Sequence, residues 1–571
     1  MASRSPGRPI AFGTFLVCAA CHGDARHGDG DAASTVAGTA SHDGFLAPPL
    51  ATTGAKMGIT AMQVWAHQAP GPASPKVGYL RLGAVVARGD KAAGTDGCPG
   101  GWYAVAPRGY VCVGDEATLD SGAAIVRAAA LRPDLTKPLP YRYGFVRAVA
   151  PLYLKVPTRD DQLASEFALE RHLAWWTREG ASSNTVARGA NDVALDASGI
   201  AIDGAPLPAG AKASVAMNPG ELFGGTSDSD PIPFWLQSGR QIPNISGFKV
   251  PTYAVFADRV RRHTGLAFVG SFATGDDSFQ RRFAITTDLR LVPASKVKPD
   301  SGSAFHGVAI HSIEELPFAW VRAKEARVYR LDGDNLMSTN TVLAQRTTHK
   351  MSGKVRRVGD VTYREASDGT WLKGTEVGAA LVPGEWPKAA DDGEKWIDVS
   401  IDNQVLVAWQ GKTPLYATLV STGQDGMGDP LTTKSTIRGT FRIRDKHVTT
   451  TMDSNGRSVE GGGPAPVTTS ETAGAESQDR DPREGKTIRR GQGTFELGDV
   501  PWVQYFAAGF ALHAAYWHDV FGVARSHGCI NLSPIDAHWL FGWTDPPMPA
   551  GWHGVEAGVD TAQGSTVVVH R

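Results

Sequence analysis

The residues best equipped for chemistry lie near the C-terminus, in "ARSHGCINLSP" from Ala524 to Pro534. Cys529 is one of five cysteines, and a thiol becomes a nucleophile only when a base or a cationic imidazole holds it as the thiolate. Histidines cluster just upstream. His527 precedes the Gly528-Cys529 step, His518 sits in "AYWHD", and His513 ends the apolar run "FALH", 16 residues before the cysteine. A strand, a short connection and a return bring residues at that spacing together. Cys529 is therefore the candidate nucleophile, His513 its candidate base, and His527 a second candidate imidazole. Gly528 lets the backbone turn tightly, so that consecutive amides, its own included, can face a developing oxyanion. Most free cysteines are buried structural thiols. The company of His513, His527 and Gly528 argues for function instead.

Such a thiol needs a fixed loop. After it, Ser533-Pro534-Ile535-Asp536 reads as a helix start, with Ser533 as N-cap and Pro534 in the first turn. Upstream, "KWIDVSIDNQVLVAWQGKTPLYATLVSTG" puts Ile397, Val399 and Ile401 on one side of a strand. Val405, Val407 and Trp409 follow a turn at Asp402-Asn403, and a third strand runs from Leu415 to Val420. "RGTFRIRDKHVTTTMD" predicts a further strand pair. The polar, Gly-rich stretch from Asp453 to about Gly493 is long for a loop in a compact β unit, and loops of that length are functional or disordered.

"HAAYWHDVFGVARSHGCINL" resembles the signature of the YkuD-type L,D-transpeptidases, and the likeness covers residues 394–571. Ser526, His527, Gly528, Cys529, Ile530 and Asn531 fit position by position, and His513 has the family's spacing. Ala514 stands where Gly commonly follows the base, and "STIRG" (435–439) where a Thr-Pro-Thr-Gly run is usual. The resemblance implies a cysteine-dependent acyltransferase that cross-links third-position residues of peptidoglycan stem peptides. Cys529 would attack, His513 would move the proton, and a backbone carbonyl beside His513 would complete the triad. The amides of His527, Gly528 and Cys529 would hold the oxyanion. Ser526, Asn531, Tyr516 and His518 would order the loop, shape the pocket or bind substrate. No cofactor or metal is called for. An L,D-carboxypeptidase or hydrolase using water as acceptor, and a non-catalytic wall-binding protein, are the alternatives.

The rest of the chain must carry and deliver this unit. At 571 residues it exceeds a single core, given about 100–200 residues per domain. Its 66 Gly, 36 Pro and short apolar runs predict a mainly β, multidomain fold. The C-terminal part is expected to be a YkuD-like β-sandwich or barrel with a short helix after the nucleophile. Small β-barrel-like modules are expected at 57–135 and 321–388, the first resembling bacterial Src-homology-3-like wall-associated modules. A mixed α+β region fills 136–320, where "PTRDDQLASEFALERHLAWW" predicts one helix ending near Trp176, capped through Thr158 and Asp161. With 57 Lys+Arg against 58 Asp+Glu, no basic face suggests a nucleic-acid partner. No obligate protein partner is implied.

Arg4 and Arg8 precede an apolar stretch from Ile10 to Ala20, which predicts a signal segment at 1–21 and an exported protein of the periplasm or cell envelope. Cys21 is then either a lipidated residue, anchoring the chain to a membrane, or removed. Residues 22–56 read as a flexible tether. Cys18-Ala19-Ala20-Cys21-His22 matches a c-type haem attachment pattern, but a tether-like composition follows it rather than a helical haem pocket. Cys98 and Cys112 are close in sequence and suit a disulfide in an oxidising compartment, which leaves Cys529 as the odd thiol. His306 and His311 do not have metal-ligand spacing. The S-x-x-K patterns at Ser246–Lys249 and Ser295–Lys298 lack an accompanying K-T-G run, and Trp539, Trp543 and Trp552 read as core and rim.

Overall fold

The computed structural model describes residues 54–181, 187–188, 215–216, 219–245, 250–453, 496–559 and 561–571. The expected signal segment with Cys18 and Cys21, nearly all of the tether, the Ser246–Lys249 motif and the insertion after Asp453 lie outside them. Strands dominate the described residues, with short helices between them.

In the N-terminal part, strands form at Lys56–Ile59, Val64–His67, Lys76–Leu80, Val85–Ala87, Trp102–Ala104 and Tyr110–Cys112, where short apolar runs alternate with turns. They enclose Met57, Ile59, Val77, Leu80, Val105 and Val111, together with Trp552 from the far end of the chain. A Cys98–Cys112 disulfide, with Cα atoms 5.8 Å apart, closes its edge. The segment at 318–380 is one open seven-stranded sheet, running from Phe318–Val321 to Val377–Ala380.

The middle region holds antiparallel strands between Arg142 and Asp300. Its expected single helix is two, Arg159–Ser165 and Leu169–Trp175, followed by a wide turn at Trp176–Gly180. The Thr158–Asp161 capping box is present. The helix breaks because Glu166 turns inward, where it pairs with Arg281 (2.6 Å) and Lys296 (2.8 Å), all three buried. Ala168 takes φ +51° to restart the chain as helix.

In the C-terminal part we number strands β1 (Lys395–Ser400), β2 (Val405–Gln410), β3 (Thr413–Leu419), β4 (Gly439–Arg442), β5 (Asp445–Asp453), β6 (Glu496–Ala507), β7 (Phe510–Ala514) and β8 (Ile530–Leu532). Helix α1 (Pro534–Trp543) and strands β9 (Gly554–Glu556) and β10 (Thr566–His570) follow. One sheet runs β3-β2-β1-β10-β4, with β1 and β10 parallel. The other runs β9-β5-β6-β7-β8. Ile397, Val399, Leu406 and Ala408 face Trp502, Phe506, Leu512, Ile530 and Leu532 across the core between them. Val405, Val407 and Trp409 pack on the opposite face with Trp396, so both faces of the first sheet are buried. The strands β4 and β5, read from sequence as a pair, do not pair with each other: β4 joins β10, and β5 joins β6 and β9.

These parts share hydrogen bonds. Gly78 and Tyr79 pair with β9, and Gly265 pairs with Leu497 of β6, so one sixteen-stranded sheet runs through the N-terminal, C-terminal and middle parts. Where they meet, Arg81 lies 2.5 Å from Asp499 with both side chains nearly buried. Thr449 and Thr287 also donate to Asp499 (2.7 and 2.5 Å), and Tyr143 donates to its carbonyl (2.8 Å). Removing one member of a buried pair strands the other, at a cost of about 3–5 kcal/mol. Arg81→Ala is therefore expected to lower the urea midpoint strongly, whereas Arg571→Ala, which breaks an exposed pair with Asp402, costs less than about 1 kcal/mol. Equal effects would refute this account of how the parts are joined.

Candidate active site

Strands β7 and β8 run parallel, with Leu512 beside Ile530, His513 beside Asn531 and Ala514 beside Leu532. Side chains alternate along a strand, so this register sorts them. Leu512, Ala514, Ile530 and Leu532 enter the core between the sheets. Ala511, His513, Cys529 and Asn531 share the other face. One step before Leu512 and Ile530, Ala511 stands next to Cys529, and its amide interacts with the thiol. Cys529 and His513 are thus diagonal neighbours on one surface.

His513 is buried, and its Nδ1 lies 3.0 Å from the Ala514 carbonyl. A carbonyl can only accept, so the proton is on Nδ1 and Nε2 keeps its lone pair. Burial holds the imidazole down at about 4, against a weaker upward pull from the Ala514 bond. Cys529 is free and half-buried. Burial pushes its thiol up to about 11, and the Ala511 amide pulls it partly back. Near neutral pH the pair rests as a thiol and a neutral imidazole with an open nitrogen, which suits proton transfer during attack rather than a standing ion pair.

The loop between β7 and β8 is tied at several points. The Ser526 hydroxyl donates to the Cys529 carbonyl, and the Gly528 amide donates to Ser526 Oγ (3.1 Å). In this resting arrangement the Gly528 amide faces Ser526, not a substrate oxygen as the sequence suggested. Gly528 has φ +127°, and a Cβ there would come within 3.0 Å of the Phe510 ring, so glycine is required. Thr436 donates to the Gly528 carbonyl (2.8 Å) and accepts from the Gly423 amide (2.8 Å). Thr436 belongs to "STIRG", the segment that departs from the family pattern, and sequence reasoning gave it no role. Below the loop, Ser533 caps α1 by accepting from the Asp536 amide (3.1 Å), as expected. The Asp536 carboxylate accepts from Tyr416 (2.7 Å), Thr418 (2.5 Å) and the Gly307 amide (2.8 Å), which pins the helix start.

The remaining sequence candidates divide. The Asn531 side-chain amide lies 3.1 Å from His518 Nε2, and the Val520 amide donates to His518 Nδ1 (3.4 Å), so these two residues brace each other under the site. Burial, with Arg525 and His513 nearby, lowers His518 to about 4. His527 is exposed on the loop, where partial burial and the Lys434 ammonium lower its pKa. Tyr516 is not a pocket residue. It is buried, with ring centroids 4.4 Å from Tyr143 and 5.8 Å from Phe145, and donates to the Gly498 carbonyl. The middle region thus supplies Tyr141, Tyr143 and Ala267 to the apolar cluster against which Cys529 packs. Sequence reading had treated that region as separate from the site.

Unfolded, His513 and His518 take up protons near pH 6.5; folded, they resist until about pH 4. The unfolded chain binds more protons in that window, so their contribution to stability is lost as pH falls from about 6.5 to 4. The urea midpoint should drop between pH 7.5 and pH 5, and His513→Gln should shrink that drop. A drop of the same size in the variant would contradict the burial argument.

Residues 394–569 match the family model of the L,D-transpeptidase catalytic domain, YkuD. No curated protein sequence matches the chain. Among solved structures, the L,D-transpeptidase of Xylanimonas cellulosilytica is 17% identical over 34% of this chain and 64% of its own, with a TM-score of 0.19. The chain therefore spans less than two thirds of that relative. The catalytic domain of the E. faecium enzyme is 18% identical over 31% of this chain and 98% of its own (TM-score 0.19). The Mycobacterium smegmatis enzyme is 16% identical over 47% and 95% (TM-score 0.20). The family match spans both sheets, the thiol loop and the helix after it, so residues 394–569 of this chain are similar to the L,D-transpeptidase catalytic domain of the YkuD family.

Proposed function

We propose that the C-terminal part catalyses acyl transfer on peptidoglycan stem peptides through a thioester on Cys529. The observation that carries this reading is the single sheet face bearing Cys529 and His513, with Nδ1 of the imidazole committed to the Ala514 carbonyl. As the thiol attacks the carbonyl of the third stem residue, its proton passes to His513 Nε2. The carbon–nitrogen bond to the terminal D-residue breaks, and the leaving amine takes that proton. A side-chain amine of a neighbouring stem then attacks the thioester. An amide forms, the thiol is released, and His513 relays the second proton. Backbone amides of the loop around Cys529 would support the oxyanion once Ser526 yields the Gly528 amide. Export to the cell envelope belongs to this reading, since the substrate lies there.

The test is incubation with tetrapeptide muropeptides and mass analysis of the products. Cross-linked dimers identify an amine acceptor, and tripeptide alone identifies water. Cys529→Ala should lose at least about 1000-fold and His513→Gln about 100-fold or more. Cross-linking by Cys529→Ala at the wild-type rate would end the thioester mechanism.

With the thiol pushed up to about 11, its thiolate fraction grows about tenfold for each unit that the pH rises toward that value. Alkylation of the free protein by iodoacetamide should therefore climb about tenfold per unit between pH 7 and 9. A plateau already reached below pH 7 would reveal a standing thiolate and contradict the neutral resting pair.

A further inference from the structure

One residue beside the thiol has no place in the scheme above. Tyr505, on β6, pairs directly with Ala511 on β7, and Ala511 stands next to Cys529. Tyr505, Ala511 and Cys529 thus form one row across three strands, with side chains on the same face. Strands lie about 4.8 Å apart, so about 10 Å separates the backbones of Tyr505 and Cys529, with only a methyl group between them. Both residues are partly exposed at the margin of the same apolar cluster, while Val503, Ala511 and Tyr516 within it are buried.

The Tyr505 ring is held in place. It stands edge-on to His447, with centroids 5.6 Å apart and planes at 83°. His447 is itself fixed by Asp445 (2.7 Å) and by the Tyr79 hydroxyl (3.1 Å). Burial, Cys529 and Asp445 raise the phenol well above its ordinary value, with Arg444 pulling the other way, so it stays protonated as a donor. Among the described residues no hydrogen bond engages that hydroxyl. The charged groups around it are Arg444 and Asp445, and Asp445 is already met by His447 (2.7 Å) and Arg444 (3.7 Å).

We infer that the Tyr505 hydroxyl, in the field of Arg444, receives the carboxylate of the acyl donor's leaving residue. This rests on the acyl-transfer reading of the site. In a donor cleaved before its terminal residue, the free carboxylate is only a few bonds from the scissile carbonyl. It must therefore sit near the thiol, on the face of the sheet that Tyr505 shares. Tyr505 is then a substrate-positioning residue that selects donors ending in a free carboxylate.

Two small alkylating reagents separate this role from the wider reading. Iodoacetate carries the carboxylate and iodoacetamide lacks it, and intact mass gives both rates at Cys529 in the full chain. A hydrogen bond to a charged group is worth about 1.5–3 kcal/mol, so Tyr505→Phe should cut the iodoacetate-to-iodoacetamide rate ratio about tenfold. The iodoacetamide rate itself should barely change. With tetrapeptide stems the same variant should raise KM about tenfold, with a much smaller fall in kcat. An unchanged ratio overturns the proposal, and so does equal slowing with both reagents, which would make the ring a packing element. If the ratio falls but wild type does not turn over stem peptides, the acyl-transfer reading fails and the carboxylate site stands. If wild type turns them over and the ratio is unchanged, the reading stands and the assignment of Tyr505 fails.

Discussion

The parallel pairing of β7 with β8 is the constraint on which the site depends. Strand side chains alternate with a period of two, so a slip of one residue would send Cys529 into the core and Ile530 onto the reactive face. Several independent ties hold the register. Ser421 and Asn531 exchange two backbone hydrogen bonds of 2.9 Å, and the Ala515 amide donates to the Leu532 carbonyl (2.8 Å). Thr436 grips the Gly528 carbonyl, and the Ser533 cap starts α1 directly after β8. On the core side Leu512, Ile530 and Leu532 are fully packed, and exposing any one of them would cost about 1.5–3 kcal/mol. The catalytic arrangement is therefore secured mainly by residues with no chemistry of their own.

That arrangement also explains the electrostatics. The face opposite the core would be open to water in an isolated two-layer unit. Here it is covered by Tyr141, Tyr143 and Ala267 from the middle region. The cover packs against Cys529 and leaves it half-buried, His513 is buried on the same face, and burial is the leading cause of both pKa displacements. Each group rests neutral, and under the proposed acyl transfer charge would develop only as a substrate is attacked. The same cover is anchored by the Arg81–Asp499 pair and the hydroxyl groups around it, so the N-terminal part reaches the site through shared sheet and shared core. Tyr79 extends the link by holding His447, against which Tyr505 packs.

Local features were legible in the sequence. The alternation in β1 and β2, the strand that ends in His513, the helix start at Ser533 and the proximity of Cys98 to Cys112 all depend on residues close in the chain. What the sequence concealed depends on distant partners. The helix break at Glu166 is invisible until Arg281 and Lys296 are known to lie beside it. The family resemblance implies a pocket role for Tyr516, yet Tyr143 and Phe145 bury it. Gly528 is a permissive turn residue in sequence, while the direction of its amide is set by the Ser526 hydroxyl. Strands β4 and β5 look like a hairpin because they are adjacent, but their hydrogen bonds go to β10 and to β6 and β9. Trp552 reads as core or rim in the sequence, but the core it fills is the N-terminal one, far along the chain. Periodicity reports which face is apolar; it does not say what will cover that face.

The central claim is that the reactive face of β7 and β8 forms a covalent acyl intermediate on one thiol. The most direct measurement is the mass of the protein quenched shortly after mixing with a tetrapeptide stem, followed by mapping of the modified peptide. The account predicts an adduct equal to the stem without its terminal D-residue, carried by the peptide that contains Cys529. Product formation with no adduct at Cys529, or with the adduct on another residue, would contradict it.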